Sequence, residues 1–156
     1  GLGDVDKRQI KHCGQVTIGR VQGDLSAQEV QRLEVSAVDD DASVRSVQEL
    51  ILGAVGDDLS VSQAGRVTVK SVGGDVALTN IQGNVEIDSI TKDFAATNVG
   101  GALRVNTVGS DAVIRGRAMP GQQIHVRAWD SVTLVLNGLV TLHLSLIPIS
   151  DTTRPY

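Results

Sequence analysis

The amino-acid sequence predicts an all-β fold: a single-stranded β-helix, or β-solenoid, of about 17 to 18 residues per coil, with two units of 8 to 9 residues in each coil. Three observations lead there. From Val67 to Arg117 apolar residues recur at a nine-residue period in three columns, headed by Val67, Val69 and Val72 and continuing without a polar residue as far as Ile114. Turn formers separate the units, as in Gly73-Gly74-Asp75, Gln82-Gly83-Asn84 and Gly109-Ser110-Asp111. Finally, Ser71, Ser89 and Thr107 mark one set of alternate units while Thr79-Asn80 and Thr97-Asn98 mark the other, so nine residues are half of a coil.

In chain order, residues 1–15 show no clear period and read as a lead-in or edge strand. From Val16 the triplet of columns can be followed in steps of nine and eight, with heads at Val16, Leu25, Leu33, Ala42, Leu50 and Leu59, as a constant coil with one shorter corner requires. Through Arg117 the triplets mark 36 positions, and only Arg117 is polar, so the columns are the core. An i, i+2 apolar pair places two side chains on one face of a strand, and a third apolar residue three positions later requires a bend before it points inward again. Ala27, Val30 and Leu33 alone would also suit a short helix near Ser26. Over the whole chain, recurrent Gly and β-branched residues disfavour helix.

One unit cannot bury its apolar face, whereas stacked coils bury each other and pair their backbones. Parallel crossovers are right-handed in nearly all cases, so a right-handed wind is expected. The repeat breaks at Met119-Pro120-Gly121, after which Ile124, Val126, Ala128 and Val132, Leu134, Leu136 continue or cap the rod. Trp129 reads as packing over the last coil. The solenoid domain is thus 16–136, followed by a C-terminal segment 137–156. Within that segment 144–156 resembles a sequencing adapter translated in frame and reads as non-native.

Composition narrows the function classes. A net charge of −4 with scattered Lys and Arg gives no electrostatic footprint for nucleic acid. One cysteine, Cys13, allows neither an internal disulfide nor a cysteine-based metal site. Charged, polar and proline residues interrupt every apolar run, so no membrane span is expected, and no signal peptide is recognisable in this stretch.

The Val72 to Val85 grammar, Val-Gly-Gly-Asp-Val-x-Leu-x-x-Ile-x-Gly-Asn-Val, resembles the bacterial adhesin-type domains of β-strand repeats, a family of unknown function. The segment Ala118 to Ala128 is similar to the stretch that follows the repeats in some members. The resemblance covers about Val16 to Leu136 and implies a β-helix at the cell surface or envelope. It brings no catalytic residues. Bactofilin-like cytoskeletal solenoids share some of the grammar.

Candidate chemistry is sparse. Calcium-binding β-rolls require Gly and Asp where Val76 and Leu78 stand. With eighteen-residue coils, however, Asp75, Asp93 and Asp111 stack in one column. Neighbouring carboxylates must then splay, bind a cation, or accept backbone N–H groups, and the last follows from the turn preference of Asp. Asp39-Asp40-Asp41 and Asp57-Asp58 read as solvated corners. His12 and Cys13 are adjacent on a strand and point to opposite faces, and His12, His125 and His143 lack metal-ligand spacing. A carbohydrate-active enzyme would need long loops and a carboxylate pair across a cleft. The expectation is a non-enzymatic structural or adhesin-like module without cofactor, whose partner is a protein or a surface glycan. End-to-end self-association as a scaffold is the alternative.

Overall fold

A computed structural model describes residues 2–5, 8–117, 122–137 and 140–146. Within them the chain is a β-solenoid of stacked parallel coils, with no helix. The strands in order are β1 (Leu2–Val5), β2 (Arg8–Val21), β3 (Leu25–Val38), β4 (Ala42–Val55) and β5 (Leu59–Val72). Shorter strands follow: β6 (Val76–Ile81), β7 (Val85–Ile90), β8 (Phe94–Val99), β9 (Leu103–Val108), β10 (Asp111–Arg117), β11 (Gln122–Ala128), β12 (Ser131–Asn137) and β13 (Val140–Leu146). Pairing already begins at Leu2, which lies opposite Ile18, and Arg8 lies opposite Leu25, so the stacking reaches into the segment read as a lead-in or edge strand, with β1 at the edge.

The change from long to short strands has a simple cause. In β3, β4 and β5 only two residues separate the two units of a coil, such as Gln31-Arg32, and the ladder runs through the bend. Leu25 therefore meets Ala42, and Ala42 meets Leu59, at a seventeen-residue step. From Gln82-Gly83-Asn84 onward a third residue enters that connection, and the step becomes eighteen, as in Val67 opposite Val85. The strand splits there: β6, β8, β10 and β12 stack on one side, and β7, β9, β11 and β13 on the other.

The columns are the core. Every apolar residue they contain is buried except Val16, which is half-buried. Side-chain sizes complement one another between rungs. Phe94, the one phenylalanine, lies opposite Ala112 and follows Leu78 and Val76 of the preceding rung, while Ala96 accompanies it in its own coil. Two alanines thus leave room for one ring, as close packing requires. The Ala27, Val30, Leu33 spacing that suited a helix comes instead from a strand bent at Glu29, whose φ is +57°.

Near the point where the sequence repeat breaks, a side chain bonds to corner carbonyls that in earlier coils are met by backbone amides. In earlier coils the corner amides bond to the rung before, Gln82 N–H to Ala64 O at 2.8 Å and Gly100 N–H to Ile81 O at 2.7 Å. On the following rung Gln122 Nε2 donates to both Val99 O and Gly101 O at 2.7 Å. This explains why a glutamine is buried, 7% exposed, among aliphatic residues. Arg117, the one polar column position, is exposed.

Trp129 departs from expectation. Its side chain is 44% exposed, and its N–H donates to Val108 O just as Gly109 N–H donates to Ile90 O one rung earlier. It holds a corner position rather than covering a coil end. Beyond it, β12 presents Val132, Leu134 and Leu136 half-buried and Val135 60% exposed. Met119-Pro120-Gly121 and residues 147–156 lie outside the described residues, as do the side chains of His12, Cys13 and His143.

Candidate functional surface at the two corners of the coil

The first corner is the three-residue turn between one coil and the next, and Asp closes it on six successive rungs. The N–H of Asp41 donates to Asp24 Oδ1, that of Asp58 to Asp41 Oδ1, and that of Asp75 to Asp58 Oδ1, at 2.8 to 3.0 Å. The N–H of Asp93 donates to Asp75 Oδ1 and that of Asp111 to Asp93 Oδ1, both at 3.0 Å. Ser131 Oγ completes the series on Asp111 Oδ1 at 2.7 Å. The backbone carbonyls are used as well: Leu59 N–H donates to Asp75 O, and Val76 N–H to Asp93 O, at 2.9 Å.

Magnitudes explain why like charges tolerate this stacking. Unit charges about one rung apart repel by about 1 kcal/mol in water. A hydrogen bond to a charged acceptor contributes about 1.5 to 3 kcal/mol net. The capping bonds outweigh the repulsion. The column anticipated at Asp75, Asp93 and Asp111 therefore extends back through Asp58, Asp41 and Asp24, whose seventeen-residue spacing carries the signal. Among the described residues no group of three or more His, Cys, Asp or Glu side chains is gathered as a metal site. Arg20 pairs with Asp39 at this corner, Nε to Oδ1 and Nη2 to Oδ2 at 3.0 Å, an exposed pair of small energetic weight.

The second corner is the bend inside each coil, and it is concave. A groove of about 960 Å³ runs across the rungs there. Its floor is the third apolar column, Val30, Val47, Ala64, Ile81 and Val99. One rim is Glu29, Ser46, Gln63, Asn80 and Asn98; the other includes Gln31, Gln48 and Gln82; Arg117 closes one end.

The first rim consists of residues in the left-handed region, with φ of 57°, 58°, 63°, 56° and 58°. The turn they impose aims the next side chain into the core. Gly116, with φ of +121°, continues the series, and a Cβ there would collide with Asn98. Left-handed backbone costs an L-residue about 1 to 2 kcal/mol, and Asn adopts it more readily than Glu, Ser or Gln. At Glu29, Ser46 and Gln63 a side chain is thus kept where glycine would relieve strain. Local bonds between rungs give part of the return: Ser46 Oγ to Gln63 Oε1 at 3.0 Å and Asn98 Nδ2 to Asn80 Oδ1 at 3.3 Å. Gln31, Gln48 and Gln82 are exposed and make no side-chain hydrogen bond among the described residues.

The two flat sides between the corners carry mixed side chains. One includes the network Arg32–Glu49 at 3.0 Å, Arg32–Glu34 at 3.8 Å and Arg66–Glu49 at 3.9 Å. A smaller depression of about 430 Å³ lies over the same side, beside Lys70, Asp88 and Asn106. No family model, curated protein or solved structure matches the chain.

Proposed function

We propose that this solenoid is a non-enzymatic, adhesin-like module that displays its concave corner to a partner at a cell surface or envelope. The observation that carries the reading is the column of strained, side-chain-bearing rim residues Glu29, Ser46 and Gln63 along a groove that spans the coils. Backbone strain held in a column points to a use for the side chains it retains. The short corners support a non-catalytic role, because an enzyme cleft on a β-helix is built from long loops. The likeness of Val72 to Val85 to adhesin-type repeats supports the compartment.

The test is binding of purified, labelled chain to whole bacterial cells and isolated envelopes, wild type against Gln48→Arg/Gln63→Arg. Saturable binding that the groove variant loses supports the module. Equal binding by both, or none, removes it.

A second reading is a self-assembling scaffold, favoured by the half-buried Val132, Leu134 and Leu136 on β12. Filaments in electron micrographs of the purified rod would favour this reading over a monomeric module.

A further inference from the structure

We propose that the concave corner holds an extended, uncharged, polyhydroxylated chain, a neutral glycan, lying along the rod axis. This deepens the reading of the corner as a binding surface and rests on it. The shape argues first. From Glu29 to Arg117 the groove crosses five rung steps, roughly 24 Å at the usual strand spacing, and it presents equivalent positions on each rung. A compact ligand would use a fraction of it. A linear polymer whose repeat is comparable with one rung, as a pyranose ring with its linkage is, meets the same kind of contact again and again.

The chemistry argues second. Gln31, Gln48, Gln63, Asn80, Gln82 and Asn98 line the groove with amides, each offering both donors and an acceptor. A hydroxyl is likewise donor and acceptor, so an amide array matches a polyol in either direction. Formal charge is confined to the ends, Glu29 at one and Arg117 at the other, and the middle rungs are neutral. That arrangement gives no field for a polyanion or a polycation.

The backbone argues against a peptide. Extended peptides are captured by pairing with a free sheet edge and by pockets for alternate side chains. Here corner amides bond to neighbouring rungs, as with Gln82 to Ala64 and Gly100 to Ile81, so this surface is not a sheet edge. The floor residues are at most 6% exposed and leave no apolar pockets open. No aromatic side chain lines the groove, so each rung contributes little and affinity accumulates along the polymer.

The experiment is isothermal titration of the full chain with unbranched neutral oligomers of glucose and of N-acetylglucosamine, from disaccharide to hexasaccharide. The expected result is a Kd that falls with each added sugar and levels off near the length of the groove. Gln48→Ala/Gln63→Gly should weaken hexasaccharide binding about tenfold, the loss of one or two hydrogen bonds, while Ser60→Ala on a flat side leaves it unchanged. Cooperative thermal unfolding of the double variant at or above the wild-type midpoint separates lost binding from lost fold. Absence of binding by every oligomer, binding that does not depend on length, or equal binding by the double variant would overturn the proposal. If envelope binding is still lost in the groove variant while all oligomers fail, the glycan assignment falls and the binding module stands; if envelope binding is absent as well, both fall.

Discussion

At the corner between coils, Asp after Asp caps the backbone of the next rung and the chain turns without strain in the left-handed region. At the corner inside each coil, a left-handed residue makes the bend, and its side chain is held over a groove. The first arrangement uses side chains to satisfy the fold; the second strains the fold in order to keep side chains. A surface whose polar groups are already engaged in capping is a poor place to look for a ligand, and one that retains exposed amides at an energetic cost is a better one.

Substitutions can separate the two corners from each other and from the core. The largest effect is expected for Ile87→Asp, which places a charge in a column position that is fully buried. It should cost more than about 4 kcal/mol and abolish the cooperative thermal transition seen by circular dichroism. Next is Gln122→Leu, which leaves the carbonyls of Val99 and Gly101 without their donor and should cost about 2 to 4 kcal/mol in urea unfolding. Gln122→Glu, of similar size but without that N–H, should lose as much; retention of stability would show that packing, not donation, holds Gln122.

Asp75→Ala should cost about 1 to 2 kcal/mol through loss of the bond from Asp93 N–H, whereas Asp75→Asn keeps an acceptor and should change stability by less than about 0.5 kcal/mol. Calorimetric titration with calcium distinguishes capping from cation binding, since heat lost in Asp75→Asn would mean that the column holds an ion. Gln63→Gly should raise stability by about 0.5 kcal/mol, relief at a φ of 63° exceeding the added freedom of the unfolded chain together with the loss of the exposed bond from Ser46 Oγ. Asn80→Gly should gain less, because Asn accepts that conformation more readily. The smallest effect is expected for Glu86→Lys, exposed beside Ile87, within about 0.5 kcal/mol in the same measurement.

These contrasts follow how legible each part is in the chain. The columns can be read directly because burial tolerates almost no polar residue at Val67, Ile87 or Val105. The coil length of 17 to 18 is readable because backbone pairing forces register. Asp24, Asp41 and Asp58 were harder to place, since in runs such as Asp39-Asp40-Asp41 only one carboxylate is in the capping position and composition does not say which. The groove was not legible. Asn80 and Asn98 hint at left-handed backbone, but Glu29, Ser46 and Gln63 carry no such signal; only the rung register puts them in one line. Trp129 misled through its size, because a large ring suggests a cover for the core whereas its register places it at a corner.

Gln122 carries a consequence for how such a rod can change. A single side-chain amide donates to two carbonyls of the neighbouring rung, bonds of the kind that backbone amides make at earlier corners. The corner inside the coil is therefore a seam at which a side chain can serve as well as backbone in joining one rung to the next. New loops, and new recognition, can be grafted onto the groove side of the rod one rung at a time.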